Sequence, residues 1–363
     1  MNAPLILVTA GGTGGHLFPA ESLAVALKTR GARVVLATDE RVGGLADAFP
    51  AEEVVEIPAA TPSGGSPLAK AKAAAVLGLG VAKALLALRR LKPDAVVGFG
   101  GYPTVPPVLA ASLLKIPAAL HEQNGVMGRA NRFLAPRVSL VATGFANVRG
   151  VPPGARQVHT GNPVRPAVIA AAATPYPAAL PKGLLRLLVF GGSQGARVMS
   201  EVVPEALALV PEELRPQLVV TQQARGEDLT RVRKAYAELR LQAEVEPFFK
   251  DLPRRIAESH LVVSRSGAST VAELAAIGRP SVLVPLPGAL DQDQAANAAT
   301  LAEIGAATVI LQPEFTPQRL ADEILARLAN PARLTNAAEA AKSAGRTDAA
   351  ERLADEVLRL ARR

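Results

Sequence analysis

Three glycine-rich turns and two polar clusters carry the residue types that can do chemistry in this sequence. The first turn lies in Leu5–Pro19, where a short apolar run, Leu-Ile-Leu-Val, breaks into Gly-Gly-Thr-Gly-Gly-His. Glycine lets backbone amides approach an anion closely, so Gly12, Thr13, Gly14 and Gly15 suit a negatively charged ligand. His16 comes next, and imidazole is the side chain best suited to exchange a proton near neutral pH. A tight strand-to-helix turn without a ligand uses the same residues. The second turn is Gly98-Phe99-Gly100-Gly101-Tyr102-Pro103, and the third is Gly191-Gly192-Ser193-Gln194-Gly195. The polar cluster His121-Glu122-Gln123-Asn124-Gly125 ends an apolar run and reads either as a ligand-facing strand end or as a cap and turn. In the other cluster, Asp291–Asn297, Gln294 and Asn297 are three apart and share a helical face.

These residues need a scaffold that brings strand ends together, and the hydrophobic pattern supplies one. Leu5–Val8, Arg33–Ala37, Ala95–Val97 and Ala118–Leu120 read as short buried strands, with a helix through Glu21–Lys28 that has Pro19 in its first turn. Val148–Pro181 is crowded with proline and reads as a connection, with a boundary near Asn162. The opening pattern then recurs in Leu184–Phe190, Leu218–Thr221, Val245–Phe249, Leu261–Ser264 and Ser281–Pro285. The expectation is an α/β chain of two parallel-sheet domains facing across a cleft, 1–161 and 162–340. A C-terminal helix in 341–363 is expected to pack back on the first domain.

At 363 residues the chain suits two cores, and 49% hydrophobic against 20% charged residues makes both globular. The absence of cysteine excludes disulfides, thiolate metal sites and a cysteine nucleophile, and fits a reducing compartment. A net charge of +8 favours an acidic partner. Only 3% aromatic residues, no tryptophan and no nucleic-acid-binding signature disfavour nucleic acid among such partners. Leu5–Val8 runs directly into the glycines, so no signal peptide is expected. Leu68–Leu91 is apolar with Lys70, Lys72, Lys83, Arg89 and Arg90, and has three readings: a membrane span, a buried helix, or a helix lying on an anionic bilayer.

The common nucleotide motifs are missing. Counting from Gly12 and Gly14, the third glycine of Gly-x-Gly-x-x-Gly is replaced by Leu17, and neither glycine loop ends in Gly-Lys-Ser/Thr. Asp291-x-Asp293 reads either as a divalent-metal pair or as a helix cap.

Seven motifs occur in order: Gly-Gly-Thr-Gly-Gly-His-x-Phe-Pro-Ala, Gly-Phe-Gly-Gly-Tyr-Pro, His-Glu-Gln-Asn, Gly-Asn-Pro-Val-Arg, Gly-Gly-Ser-Gln-Gly-Ala-Arg, Arg-Ser-Gly-Ala-x-Thr-x-x-Glu and Gln-x-x-Asn-Ala. Together, over Gly11–Ala298, they resemble the MurG family of bacterial N-acetylglucosaminyltransferases. The resemblance implies a two-domain GT-B fold and inverting transfer from UDP-N-acetylglucosamine to the muramoyl 4-hydroxyl of an undecaprenyl-diphospho-muramoyl pentapeptide. It also implies a peripheral enzyme on the cytoplasmic face of the plasma membrane, with no required cofactor or tightly bound metal. The nearest different class is a UDP-N-acetylglucosamine 2-epimerase, which needs neither the Gly98–Pro103 loop nor a lipid-facing patch; a non-catalytic membrane-bound binder of the nucleotide sugar is a further one.

On that resemblance, His16 is the expected base, its other role being to donate to an acceptor phosphate or cap the turn. Glu122 is the second candidate base, and Asn124 positions the hydroxyl. Gly12–His16 with Gly100, Gly101 and Tyr102 form the acceptor side, and Thr13, Gly14, Gly15 and Asn124 also reach the donor. The departing diphosphate meets the amides of Gly192–Gly195 and of the helix start Gly267–Thr270, including Ala268, Ser269 and Thr270, with side-chain bonds from Ser193 and Arg165 and with Gln194 adjacent. Phe248 and Phe249 flank the uracil, unless they pack in the core, and Arg265 lies nearby. Glu273 accepts from the ribose, and Gln294 with Asn297 reads the hexose. Asp293 stands where the family pattern has a glutamine.

Overall fold

A computed structural model describes residues 3–11, 14–40, 48–61, 66–178, 180–192, 195–288 and 292–362. The chain divides into two compact units, Met1–Arg165 with Thr347–Arg363, and Pro166–Arg346.

The first unit runs β1 (Leu5–Thr9), α1 (Gly14–Thr29), β2 (Arg33–Thr38), β3 (Glu53–Glu56), α2 (Pro67–Leu91), β4 (Ala95–Gly98), α3 (Val105–Leu113), β5 (Ala118–Glu122), α4 (Arg129–Leu134), β6 (Leu140–Thr143) and β7 (Gln157–His159). All seven strands are parallel, in the order β3-β2-β1-β4-β5-β6-β7. Helices cover both faces, which explains why the central strands are apolar runs rather than alternating ones. Alternation then decides which helix each residue meets. Ile6 and Val8 pack with Leu23 and Leu27 of α1, whereas Leu5 and Leu7 pack with Leu88 of α2 and Val108 of α3.

The second unit runs α5 (Pro166–Ala172), β8 (Leu185–Phe190), α6 (Arg197–Ala208), β9 (Leu218–Gln223), α7 (Leu229–Glu238), β10 (Gln242–Glu246), α8 (Leu252–Glu258), β11 (Leu261–Ser264), α9 (Ala268–Ile277), β12 (Ser281–Leu283), α10 (Asp293–Ala302), β13 (Ala307–Val309), α11 (Pro317–Ala329) and α12 (Ala332–Ala344). Its parallel sheet has the order β10-β9-β8-β11-β12-β13. In both sheets the strand order reverses beside the first strand, between β1 and β4 and between β8 and β11. Such a switch point leaves the loops beyond its strand ends room for a ligand.

The final helix, α13 (Ala349–Ala361), returns to the first unit. Its buried residues Ala350, Leu353, Ala354, Val357 and Leu360 recur at helical spacing and join the core over α1. Arg30 pairs with Asp355 at 2.9 Å, and Arg352 donates to the His159 carbonyl at 3.2 Å.

Several boundaries differ from the sequence reading. The first helix begins at Gly14, so His16 lies in its first turn and Pro19 falls inside it. Pro19 is the sixth residue of the helix, so it withholds the amide that would otherwise bond the Gly15 carbonyl. β5 extends through His121 and Glu122. β10 stops at Glu246, because Pro247 has no amide to continue the ladder, and both phenylalanines lie beyond it. The crossover falls after Arg165 rather than at Asn162: the Asn162 amide donates to the Gln123 carbonyl at 2.9 Å and Ser22 donates to the Val164 carbonyl at 3.2 Å, so this segment stays with the first sheet. At the other crossover, Lys342 donates to the Ala172 and Ala276 carbonyls at 2.7 and 2.8 Å, keeping α12 in the second unit.

The apolar segment Leu68–Leu91 lies within the single helix α2, which is long and apolar enough to cross a membrane by length and composition. One side of it is buried, through Ala73, Gly80, Ala84, Ala87 and Leu88. A Cβ at Gly80 would lie 2.2 Å from the Pro58 carbonyl oxygen, so glycine is what allows this close approach.

Replacing Leu353, which is fully buried, by alanine is expected to lower the stability of the first unit by about 2–5 kcal/mol. Urea unfolding checks this against Leu86→Ala, an exposed position on α2 expected to change stability by less than about 0.5 kcal/mol.

Candidate active site

In the first unit, β1, β4 and β5 are neighbours in the sheet and end on one edge. The segments leaving these strands are therefore brought together: α1 with His16, the Gly100-Gly101 turn, and the Glu122–Asn124 segment. Gly100 and Gly101 both have positive φ, 86° and 71°. A Cβ on Gly100 would sit 3.2 Å from the Asn131 amide and 3.5 Å from the His16 ring, so the turn leaves room for the imidazole to lie along its backbone. Thr104 fixes this turn by donating to the Gly100 carbonyl at 2.8 Å, and Tyr102 is partly exposed beside it. The His16 ring is held by a side-chain contact from Nδ1 to the Gln123 Oε1 at 3.2 Å.

Glu122, expected as a second base, is 1% exposed. Its Oε1 accepts from the Asn124 backbone amide at 3.0 Å and side-chain amide at 3.3 Å. Its Oε2 accepts from the Gly128 amide at 3.0 Å and the Asn131 side chain at 2.8 Å. A buried carboxylate engaged by four donors braces the turn from Asn124 to Gly128, and Asn124 is left partly exposed at its edge. Arg165 stays with the first unit, its guanidinium 5.1 Å from the centre of the Phe18 ring. Its charge offsets part of the burial that raises the Glu21 carboxyl above its ordinary pKa.

His121 is fully buried and stacked at 34° against Phe99 with ring centres 5.3 Å apart. Its Nε2 contacts the Gly161 carbonyl at 3.0 Å, and its Nδ1 contacts Gln123 Nε2 at 3.2 Å. Burial drives its pKa down to about 4, with the Gly161 hydrogen bond opposing the shift and His159 adding to it.

In the second unit, the turn after β8 is clamped by Gln223. Its Oε1 accepts from the Gly191 amide at 3.0 Å, and its Nε2 donates to the Pro247 carbonyl at 3.2 Å. Arg225 donates to the Gly195 carbonyl at 3.3 Å. Neither residue stood out in the sequence, although a pair of glutamines ending the apolar run Leu218–Val220 was a signal of a polar strand end. Ala268, Ser269 and Thr270 form the partly exposed first turn of α9, where no side chain caps the helix, and first-turn amides have no partner within the helix. Glu273 lies one turn further on and is 8% exposed.

Phe248 is 59% exposed, but Phe249 is 7% exposed and lies under Arg255, whose guanidinium is 4.3 Å from the ring centre. Of the two, only Phe248 presents its ring to solvent. Asn297 is fully buried and donates to the Ser266 carbonyl at 3.2 Å. Gln294 accepts from the Leu286 amide at 3.0 Å, and its own carbonyl accepts from Ser266 Oγ at 2.8 Å. These two residues tie α10 to the ends of β11 and β12. Arg265 likewise donates to the Val284 and Pro285 carbonyls at 3.0 and 3.1 Å and to Gln312 at 2.6 Å, and burial lowers its pKa. Asp293 accepts from the Gln294 amide at 2.8 Å at the start of α10, a position where a carboxylate complements the helix dipole. Gly12, Thr13, Ser193, Gln194 and Asp291 lie outside the described residues; Gly14 and Gly15 open α1, and Gly192 and Gly195, which flank Ser193 and Gln194 in sequence, have positive φ.

Residues 6–143 match the glycosyltransferase family 28 N-terminal domain and residues 186–353 its C-terminal domain. A protein of Methylobacterium radiotolerans called UDP-N-acetylglucosamine–N-acetylmuramyl-(pentapeptide) pyrophosphoryl-undecaprenol N-acetylglucosamine transferase is 65% identical over 99% of this chain and 98% of its own length. The crystal structure of MurG from Acinetobacter baumannii is similar with a TM-score of 0.80 and 31% identity, covering 98% of this chain and 99% of that one. A UDP-GlcNAc 2-epimerase from Neisseria meningitidis, bound to UDP-GlcNAc, shares the fold at a TM-score of 0.69 and 13% identity, covering 98% of this chain and 100% of that one. The two parallel-sheet units are those of a GT-B glycosyltransferase.

The neutral His121 gives the first unit a pH dependence. An unfolded histidine titrates near 6.5, so between about pH 6.5 and about 4 the unfolded chain binds a proton that the folded one does not. The contribution of His121 is complete above about 6.5 and is lost as pH falls towards about 4, up to roughly 3 kcal/mol. Thermal unfolding from about pH 7.5 to about 4.5 should show a steeper acid loss for the wild type than for His121→Phe.

Proposed function

The chain belongs to glycosyltransferase family 28, among the MurG N-acetylglucosaminyltransferases, and from that premise we propose that it transfers N-acetylglucosamine from UDP-N-acetylglucosamine to the muramoyl 4-hydroxyl of undecaprenyl-diphospho-muramoyl pentapeptide. The 65% identity to a transferase of that name, along nearly the whole length of both chains, carries this reading over the epimerase, which shares the fold at 13% identity.

In this reading the hydroxyl of the acceptor attacks the anomeric carbon from the face opposite UDP, in one inverting displacement. His16 takes the hydroxyl proton as it attacks. Its place in the first turn of α1, beside the Gly100-Gly101 turn, favours it over Glu122, whose oxygens are already engaged by four protein donors. The departing diphosphate receives backbone amides from the turn after β8 and from the first turn of α9, with the positive helix end adding to them. These donors stabilise the leaving charge without calling on a bound metal. Phe248 offers its exposed ring to the uracil, and Glu273 accepts from the ribose.

The acceptor's lipid stays in a bilayer, so the enzyme must work at its surface. On α2, Leu68, Lys72, Leu79, Lys83 and Leu86 fall on one stripe, all exposed, on the side away from the buried Ala84 and Leu88. Leucines that enter the acyl boundary, beside lysines that snorkel to anionic headgroups, fit an interfacial helix on the cytoplasmic face of the plasma membrane.

Labelled UDP-N-acetylglucosamine incubated with lipid-linked muramoyl acceptor should send label into lipid and release UDP; label recovered only as epimer or free sugar overturns the assignment. His16→Ala is expected to lower kcat by about 10²–10⁴-fold, with binding of UDP-N-acetylglucosamine unchanged in calorimetry. Reversing both lysine charges, Lys72→Glu with Lys83→Glu, should weaken co-sedimentation with anionic vesicles by about tenfold or more, since each lysine near such a surface contributes about 1 kcal/mol.

A further inference from the structure

We infer that Gln123 and His121 are positioning residues that fix the tautomer of His16, keeping its proton on Nδ1 and its Nε2 lone pair open towards the acceptor hydroxyl. This rests on the reading of His16 as the base.

The groups around His16 have hydrogen-bonding roles that cannot be exchanged. Gln123 is 2% exposed, and its Nε2 lies 3.2 Å from the His121 backbone carbonyl. A carbonyl oxygen only accepts, so the amide end of Gln123 that faces it must be the NH₂. The opposite end, facing His16 Nδ1 at 3.2 Å, is therefore the oxygen, which also only accepts. Nδ1 of His16 must then donate, and in the neutral imidazole the lone pair is left on Nε2.

His121 supports the same orientation independently. Its Nε2 lies 3.0 Å from the Gly161 carbonyl, again an acceptor only, so Nε2 carries the proton and Nδ1 is left to accept from Gln123 Nε2. Burial, which depresses the His121 pKa to about 4, keeps that lone pair free at neutral pH. The order is thus Gly161 carbonyl, His121, Gln123, His16, with every donor facing an acceptor. Proton uptake at His16 Nε2 leaves the Nδ1–H to Gln123 bond in place, so the relay needs no rearrangement when the base becomes charged.

The relay also explains Phe99 and Asn131. Phe99 stacks on the His121 ring, and the Asn131 amide donates to Glu122 Oε2 at 2.8 Å and lies 3.4 Å from the His121 carbonyl. Ring plane and backbone are both held, which keeps Nε2 on the Gly161 carbonyl and Nδ1 towards Gln123.

The test is long-range ¹⁵N–¹H NMR of histidine-labelled full-length protein, in which His16 is one of four histidines and is assigned by its loss in His16→Ala. The neutral wild-type ring should show Nδ1 protonated and Nε2 bare. A ring protonated at Nε2, or an even mixture, overturns the relay without any variant. Gln123→Met, of similar volume but with no acceptor, should give mixed tautomers and lower kcat by about ten- to a hundredfold, short of the loss expected for removing the base, with KM for UDP-N-acetylglucosamine changed less than about twofold. Gln123→Glu keeps an acceptor towards Nδ1 and should retain the His16 tautomer, although it loses the NH₂ that faces His121. A loss of kcat in Gln123→Met with the tautomer unchanged overturns the relay as a purely structural effect. Full turnover in His16→Ala instead removes the base assignment, whatever the tautomer.

Discussion

The parallel pairing of β1 with β4 is the constraint on which the first half-site depends. Val8 sits beside Val97 and Thr9 beside Gly98, so both strands end on the same edge. The next strand on one side is β2 and on the other is β5, which sends the connecting helices to opposite faces and leaves the loops to splay apart. His16 and the Gly100-Gly101 turn lie on the segments that leave β1 and β4. A shift of one residue in register would turn Val8 from one core to the other, so the buried alternation of Leu5, Ile6, Leu7 and Val8 also holds the site in place.

That edge is unusual in carrying three consecutive buried polar side chains, His121, Glu122 and Gln123, each at most 2% exposed. Burying polar groups without partners would cost several kcal/mol, and the fold offsets this by giving each a stated partner. The Glu122 carboxylate gathers Asn124, Gly128 and Asn131, while His121 and Gln123 connect inward to Gly161 and outward to His16. Rigid polar groups packed behind a half-buried imidazole suit the proposed proton acceptor, which would then need little reorganisation when it reacts.

Much of this plan was legible in the sequence. Apolar runs that end in glycine mark parallel strands whatever their neighbours; Gly100, Gly101 and the His-Glu-Gln-Asn cluster lie at strand ends, and His16 opens the helix that follows β1. Individual roles were less legible, because they depend on which way a side chain points. Phe248 and Phe249 are equivalent in composition, and only the local backbone sends one outwards and the other beneath Arg255. Gln294 and Asn297 do share a helical face, but that face meets Ser266 and Leu286 of their own unit. Gln223 was marked only as part of a polar strand end, because its role comes from the pairing of β9 with β8, which joins residues about thirty positions apart.

The two units solve different problems with one architecture. In the proposed reaction a departing diphosphate asks for fixed positive ends, and at its switch point the second unit has the uncapped first turn of α9, with Gln223, Arg265 and Asn297 holding the neighbouring segments. An attacking hydroxyl asks for a group that changes protonation state, and the first unit offers an imidazole at the equivalent position. Shared topology therefore accounts for the structural likeness to an epimerase without implying its chemistry. What separates the activities is the set of side chains placed on the strand ends. In the first unit these are a histidine and the buried polar residues packed behind it.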